Sequence, residues 1–165
     1  MTLRLGVLGL GSVFSGPYAR LIQELALEGR VDLVAGYDPD PAKVEAAARR
    51  FGFSPDATAP EQVYASDDVD VVLVLTSMNE HGPLALAALE AGKHVLVEKP
   101  MATSLDEARQ LLDAAKGEQV LVCAPHIVLS PTYREMHRRV HGGAIGDLHL
   151  ARARYGWSGP WWGQW

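Results

Sequence analysis

The stretch Leu3–Leu25 places the tightest limits on the fold, because it contains a strand, a glycine turn and a helix in direct succession. Residues 3–8 form a short apolar run of strand length, and Gly9 and Gly11 follow it. Helical periodicity comes next, with one face formed by Tyr18, Leu21, Ile22 and Leu25 at i, i+3, i+4 and i+7. This order is the context in which a G-x-G pattern indicates a dinucleotide-binding site.

The turn has the chemistry that a pyrophosphate requires. Gly9 permits a tight bend, and Gly11 allows the backbone to approach the phosphates closely. The first amides of the helix, from Ser12, Val13 and Phe14, then face the anion at the positive end of the helix dipole. Phe14 occupies the third position of the usual G-x-G-x-x-G/A pattern, where a small residue normally lets helix and strand pack closely. An ordinary glycine turn is the alternative interpretation.

A second buried strand, residues 31–37, ends at Asp38, which lies 27 positions after the second glycine. A carboxylate at this tip accepts hydrogen bonds from both hydroxyls of an adenosine ribose and repels a 2′-phosphate. Pro39 follows where an NADP-binding arginine would sit, so the sequence favours NAD over NADP. Asp38 could instead be a turn or cap residue, but Asp40, which precedes Pro41, suits the capping role better.

Strands and helices continue to alternate up to residue 123. Six strands are expected in all, because an edge element near Phe53 and strands at 69–75, 95–97 and 119–123 follow the first two. Two of the helices begin with capping boxes, at 58–61 and 104–107. Such alternation predicts an α/β fold with a doubly wound parallel sheet and right-handed crossovers. We therefore predict a dinucleotide-binding Rossmann domain over residues 1–123.

Polar side chains follow three of the predicted strands at their carboxyl ends, where ligands bind in such sheets. They are Thr76, Ser77, Asn79 and His81 after the fourth strand, Glu98 and Lys99 after the fifth, and His126 after the sixth. Each could simply be a helix cap or a solvated strand end, but their convergence on one sheet edge favours a site. A lysine partly desolvated against a nicotinamide, with Glu98 beside it, could move a proton to or from a substrate hydroxyl.

Composition excludes several other classes of function. The net charge of −5 and the lack of a basic run argue against a nucleic-acid partner. Cys123 is the single cysteine, so no intrachain disulfide can form, and no metal site is predicted. The N-terminus lacks a secretory signal, and the longest apolar run is too short to span a membrane, so we predict a cytoplasmic protein.

These motifs resemble the Gfo/Idh/MocA oxidoreductases, the group of glucose–fructose oxidoreductase and inositol dehydrogenase. The resemblance rests on the glycine turn, Asp38, T-S-M-N-E-H at residues 76–81 and, most specifically, A-G-K-H-V-L-V-E-K-P at residues 91–100. It implies an NAD(P)-binding Rossmann domain followed by an α/β domain with a large antiparallel sheet. That second domain would supply substrate contacts and oligomer interfaces, so the full-length parent is expected to be a homo-oligomer.

The resemblance also implies a role for each motif. Gly9, Gly11 and their neighbours would hold the pyrophosphate, and Asp38 the adenosine ribose. The trench for the cofactor would be lined by Thr76, Ser77, Asn79 and His81. Glu98 would contact the nicotinamide ribose, and Lys99 would orient the substrate hydroxyl or help to move its proton. Many relatives carry an Asn and then an Arg after the sixth strand, where this chain has Pro125-His126, so His126 is a candidate replacement.

The tail predicts the beginning of a second domain over residues 124–165. A helix with Tyr133, Met136 and Val140 on one face, a glycine loop and a strand over 148–157 follow one another. One strand cannot form a sheet, and relatives run to roughly twice this length. We therefore expect a truncated chain that binds dinucleotide and turns over poorly.

Three functions remain open from the sequence. The first is an NAD-dependent oxidoreductase that acts on a carbinol carbon of a sugar, cyclitol or polyol. The second is a non-catalytic NAD-binding sensor or partner-docking module. The third is an S-adenosylmethionine methyltransferase, which shares the glycine turn and the strand-end acid but leaves the Glu98-Lys99-Pro100 triplet unexplained.

Overall fold

Five parallel strands alternate with helices in the computed structural model, which describes residues 2–115, 117–124, 129–154 and 156. The strands are β1 (Leu3–Leu8), β2 (Val31–Tyr37), β3 (Val71–Val74), β4 (His94–Val97) and β5 (Leu121–Cys123). The helices are α1 (Ala19–Leu27), α2 (Pro41–Phe51), α3 (Glu61–Tyr64), α4 (Met78–Glu90), α5 (Leu105–Ala114) and α6 (Pro131–His141), and a π-helical turn (Phe14–Tyr18) leads into α1.

The sheet has the order β2-β1-β3-β4-β5, and every neighbouring pair is parallel. Strand order reverses between β1 and β3, because the chain first moves outward to β2 and then returns to the other side of β1. The prediction of a doubly wound parallel Rossmann sheet is confirmed. The crevice outside the carboxyl ends of β1 and β3 is where such folds bind ligands.

Both faces of the sheet are covered, as the β-branched strands require. Alternate residues of β3 point to opposite sides: Leu73 packs with α1 and α2 in one core cluster, and Val72 and Val74 pack with α3, α4 and α5 in the other. Leu8, Val72 and Val74 are fully buried. The central strands are therefore rigid supports for the residues at their ends.

Local signals explain where several helices begin and end. Asp40 caps α2 by accepting a hydrogen bond from the Ala42 amide at 3.0 Å, with Pro41 in the first turn, as predicted. Ser104 caps α5 by accepting from the Glu107 amide at 3.2 Å, as the second capping box predicts, but the Glu107 carboxylate accepts from the Thr103 amide at 2.9 Å, one residue before the cap. The first box is different: α3 starts after Pro60, and Gln62 accepts from the Thr58 amide instead of Glu61 closing the box.

Two predicted strands are absent from the described residues. The segment after α2 contains Pro55 and Pro60, which cannot donate to a ladder, and Phe53 packs into the core from an irregular segment. The sheet therefore has five strands and not six. Residues 148–154 also form no strand, because no described segment pairs with them, while Tyr155 and Trp157 lie outside the described residues.

The chain divides into two compact units, residues 1–125 and residues 126–165. The described part of the second unit contains α6, which confirms the helix predicted there, followed by the glycine loop with positive φ at Gly143 and Gly146. Within the described residues, no helix combines the length and apolar character needed to cross a bilayer.

Candidate dinucleotide-binding site

The bend after β1 lies directly against the end of β3. Gly9 has φ of +92°, and its amide donates to the Tyr37 carbonyl at 2.8 Å. A Cβ on Gly9 would lie 2.7 Å from both the Leu75 carbonyl carbon and the Thr76 nitrogen, which is too close for any side chain. The position thus requires glycine for both conformation and space, and the bend occupies the point where strand order reverses.

At position 11, neither the backbone conformation nor the space inside the protein requires glycine. Its φ is not positive, and apart from its two chain neighbours no described residue has an atom within 4 Å of where its Cβ would be. Phe14 does not fill this space, because its ring is 3% exposed, packs in the core and lies 5.8 Å from the Phe51 ring. The outer side of the turn is therefore open to the close approach of a ligand.

Three backbone amides at the start of the helix are free to bind an anion. Ser15 is the first residue of this helix to donate along it, to the Gly11 carbonyl at 2.9 Å. Among the described residues, the amides of Ser12, Val13 and Phe14 make no hydrogen bond. Unpaired amides at a helix start, beside a glycine without a packing role, fit the pyrophosphate of a dinucleotide.

Asp38 lies at the tip of β2, where the sequence predicted a ribose contact, but its carboxylate also has internal partners. The side chain is 8% exposed. One oxygen accepts from the Leu10 amide at 2.9 Å, and the other accepts from the Asp40 amide at 2.9 Å and the Lys43 ammonium at 3.2 Å. Asp38 therefore holds the glycine turn to β2.

Lys43 is the residue at this end of the site that sequence reasoning missed. It lies on α2 and pairs with Asp38, and its side chain is 45% exposed. The sequence did carry a signal for Lys43, because a cation five residues after the strand-end acid falls on the first turn of the following helix. Its charge offsets that of Asp38, and its remaining N–H groups are free to bind a further acceptor.

The start of α4 contributes exposed polar groups at the end of β3. Ser77 is the N-cap residue of α4, but its hydroxyl makes no capping hydrogen bond. Ser77 and Asn79 are exposed, whereas Thr76 is half-buried with its hydroxyl 3.4 Å from the Ser77 carbonyl oxygen. These three residues lie at the carboxyl edge of the sheet, as predicted.

His81 connects the ends of β3 and β4 from a buried position. It is 2% exposed, with Nδ1 2.7 Å from the Pro100 carbonyl oxygen and Nε2 3.1 Å from the Thr76 carbonyl oxygen. A neutral imidazole has one N–H and satisfies one carbonyl, whereas an imidazolium satisfies both. The ring braces the Glu98-Lys99-Pro100 segment, and its two nitrogens already have protein partners.

Glu98 and Lys99 follow β4 at the same edge. The Glu98 carboxylate accepts from its neighbour's amide, Lys99 N–H, at 2.9 Å and from the Tyr18 hydroxyl at 3.0 Å. Lys99 is exposed, and its ammonium forms no hydrogen bond or ion pair within the part of the chain that the structure describes. The amine is thus available to a ligand.

Burial and negative charge set the protonation of two neighbours of Glu98. Burial raises the pKa of the Tyr18 hydroxyl, and the Glu98 charge raises it further. Burial also raises the pKa of the Cys123 thiol, again with a contribution from Glu98. Tyr18 therefore remains a donor and Cys123 remains a neutral thiol near pH 7. The other predicted catalytic residue, His126, lies outside the described residues.

Comparisons with known sequences agree with this geometry. Residues 3–126 match the Gfo/Idh/MocA family, described as an oxidoreductase family with an NAD-binding Rossmann fold. Inositol 2-dehydrogenase 4 of Saccharopolyspora erythraea is 33% identical over 146 residues, which cover 87% of this chain and 42% of that enzyme. The scyllo-inositol 2-dehydrogenase (NAD(+)) of Bacillus subtilis is 31% identical over 145 residues, covering 87% and 41%. The chain thus spans about two fifths of these curated relatives.

Solved structures show the same architecture. A 3-ketoreductase from Actinomadura kijaniata in complex with NADP is 28% identical, with a TM-score of 0.74 over 89% of this chain and 46% of that one. The WlbA dehydrogenase from Chromobacterium violaceum, in complex with NADH and UDP-GlcNAcA, is 26% identical, with a TM-score of 0.77 over 88% and 41%. Similar folds therefore hold either form of the nicotinamide cofactor.

Proposed function

This chain belongs to the Gfo/Idh/MocA oxidoreductase family, and from that premise we propose that it is the cofactor-binding part of an NAD-dependent dehydrogenase acting on a CH–OH group of a sugar, cyclitol or polyol. The relatives that act on inositols support the substrate class. Because this chain spans about two fifths of those relatives, the activity, substrates and oligomeric state of the whole protein are part of this proposal.

One observation carries the proposal: the open glycine turn and the Glu98-Lys99 pair lie at the same edge of one sheet. The turn follows β1, the pair follows β4, and β3 separates the two strands. At a strand spacing of about 4.8 Å, two steps across the sheet span roughly 10 Å, which an extended dinucleotide covers easily. A pyrophosphate on the turn can therefore be joined to a nicotinamide near Lys99.

The cofactor would supply hydride transfer, and this chain's residues would bind and orient it. The amides of Ser12, Val13 and Phe14 would hold the pyrophosphate, and Glu98 the nicotinamide ribose. Thr76, Ser77 and Asn79 would line the groove between them. Lys99 would hold the substrate hydroxyl and exchange its proton, a role that requires the free amine observed there. His126 stays a candidate for a further substrate contact.

We propose NAD as the preferred cofactor because a carboxylate, Asp38, lies at the tip of β2. Its internal hydrogen bonds leave lone-pair capacity for a ribose hydroxyl, since a carboxylate can accept about four. Lys43 reduces the net negative charge there, so we expect discrimination against NADPH to be moderate. The predicted cytoplasmic location stays a prediction.

A non-catalytic NAD-binding module is the rival function, and the free Lys99 amine favours the enzyme. The first test is a titration of the 165-residue chain with NADH, NADPH and S-adenosylmethionine. We expect NADH to bind most tightly and S-adenosylmethionine not to bind. No binding of either nicotinamide cofactor would refute the proposal.

A second test separates the enzyme from the sensor. In the full-length parent protein, assayed on a panel of cyclitols and sugars, Lys99→Ala is expected to lower turnover by about 10²–10⁴-fold, the usual contribution of a positioned acid or base. NADH affinity should change little. Lys93→Ala is the matched control, because Lys93 donates to the Ser66 carbonyl at 2.7 Å and belongs to no part of the proposed site. Unchanged turnover in Lys99→Ala would remove the lysine from the mechanism.

A further inference from the structure

Phe14, which replaces the third small residue of the usual glycine pattern, begins a π-helical turn that plays no part in the proposed function. Pro17 lies inside the helix start and has no amide to donate, and residues Phe14–Tyr18 form a π-helical turn closed by the Ala19 amide donating to the Phe14 carbonyl. A π turn places one more residue between its bonded groups than an α turn, and such turns are common at functional sites. Here it sets the position of Tyr18 relative to Phe14.

The two ends of this turn contact different parts of the protein. Phe14 is anchored in the core against Phe51. Tyr18 is partly buried, and its hydroxyl reaches the Glu98 carboxylate at 3.0 Å, 80 positions along the chain. The turn that follows the glycines is thereby joined directly to the residue that precedes Lys99.

We propose that Tyr18 is a positioning residue, which holds the Glu98 carboxylate in the orientation that receives the nicotinamide ribose and, through it, fixes Lys99. This inference rests on the proposed function. Tyr18 would thus be a further residue of the cofactor site, one that belongs neither to the glycine pattern nor to the Glu98-Lys99-Pro100 triplet.

The bonding of Glu98 explains how Tyr18 acts. One carboxylate oxygen accepts from Tyr18 and the other from the Lys99 amide, so the group cannot rotate without losing a bond. Two of about four acceptor positions remain for ribose hydroxyls. At its other end the same segment is held by His81, which contacts the Pro100 carbonyl oxygen at 2.7 Å. Lys99 therefore lies between two fixed neighbours.

Tyr18 remains a hydrogen-bond donor at ordinary pH because burial and the Glu98 charge both raise the pKa of its hydroxyl. The bond to a charged acceptor is also of the stronger kind. A phenylalanine keeps the ring and its packing but removes this donor. Tyr18→Phe therefore isolates the hydroxyl from the rest of the side chain.

The test uses two ligands that divide the site. NADH would contact both the glycine turn and the Glu98-Lys99 pair, whereas ADP lacks the nicotinamide ribose that would reach the pair. We expect Tyr18→Phe to weaken NADH binding about fivefold, the equivalent of about 1 kcal/mol for one hydrogen bond, with ADP affinity unchanged. The fluorescence of bound NADH should also change, because a less ordered nicotinamide emits differently. Equal loss for NADH and ADP would indicate general damage and overturn the proposal.

Two further variants complete the experiment. Tyr64→Phe is the matched control, because burial and the charge of a glutamate, Glu61, likewise raise the pKa of the Tyr64 hydroxyl, and Tyr64 lies outside the proposed site; this variant should bind NADH like the parent chain. In a Glu98→Ala background, Tyr18→Phe should have no further effect on NADH affinity, since the two act through one contact. An undiminished effect there, or NADH binding by Tyr18→Phe equal to that of the parent, would refute the role of Tyr18. A parent chain that binds neither NADH nor ADP would instead refute the proposed function, and this inference with it.

Discussion

The Asp38 carboxylate accepts a hydrogen bond from the Leu10 amide at 2.9 Å, which ties the residue between the two glycines to the tip of β2. The same side chain accepts from Asp40 and Lys43. One buried carboxylate thus fixes the shape of the turn, and in the proposed function it also meets the adenosine ribose. Substitutions of Asp38 therefore need two readouts, one for stability and one for cofactor binding.

Asp38→Asn should lower both stability and cofactor discrimination. Asparagine keeps one acceptor oxygen, but its NH2 group faces a donor from which it cannot accept, and losing a buried hydrogen bond of this kind costs about 1–3 kcal/mol. We expect a lower melting temperature and a ratio of NADPH to NADH affinity that shifts toward NADPH. Lys43→Gln should shift the ratio in the opposite direction, because it leaves Asp38 without its cation. Thermal denaturation and parallel titrations measure both effects, and an unchanged ratio in both variants would argue against a ribose contact at Asp38.

Three glycine-to-alanine variants separate the fold from the site. Gly9→Ala should destabilise the protein by about 1–3 kcal/mol or more, because it adds strain at positive φ and a backbone clash. Gly11→Ala and Gly16→Ala each add a methyl group to open space, so their stability should change by less than about 0.5 kcal/mol. Only Gly11→Ala among this pair should weaken NADH binding. Equal NADH affinities for these two variants would mean that the pyrophosphate does not lie on the turn.

His81→Phe should destabilise the unit by about 1–3 kcal/mol, since it removes the ring N–H that faces the carbonyl groups of Thr76 and Pro100. It should also weaken NADH binding, because the segment that carries Lys99 loses its brace. His149→Phe, at an exposed position, is the control. Chemical denaturation gives the free energy of unfolding, and a value equal to that of the control would show that the brace is unimportant.

Asp70 should make stability depend on acid pH. The Arg4 guanidinium and amide bond its carboxylate and lower the pKa of Asp70 from 3.8 to about 2. A carboxyl whose pKa is lower in the folded state stabilises the fold above the unfolded value and loses that contribution as pH falls from about 4 to about 2. Asp70→Asn should flatten this part of the stability curve.

The exposed Asp106, whose side chain is 85% accessible, provides the control for that experiment. Asp106→Asn should leave the acid limb of the curve as it is in the parent chain, because an exposed ion pair contributes little. Melting temperatures across the acid range measure both variants. A curve for Asp70→Asn that falls as steeply as the control's would contradict the assignment.

Much of this fold follows from local signals in the sequence. Each of three features favours one local structure: the buried β-branched strands, the Asp40 cap and the strand–glycine–helix order. Together they predicted the sheet and its carboxyl edge. The prediction of a strand near Phe53 was wrong, because an apolar residue packs equally well from an irregular segment. Of the strand predicted over residues 148–157, the described part, 148–154, is not a strand, because regular pairing needs a partner, which local periodicity does not report.

Contacts between distant residues were beyond sequence reasoning. The glycine pattern marked Phe14 as a departure, but not the π turn that buries it and brings Tyr18 to Glu98. His81 was expected among the groove-lining residues, and its two carbonyl contacts depend on how far α4 sits from the end of β4. Such pairings are set by packing, which a motif specifies only in part.

Amide chemical-shift mapping on the isotopically labelled 165-residue chain tests most directly whether one groove joins the glycine turn to Lys99. With ADP, we expect shifts at Gly11, Ser12 and Val13 and none at Glu98 or Lys99. With NADH, both groups should shift together with one dissociation constant. Shifts at only one of the two groups on addition of NADH, or at neither, would contradict the account.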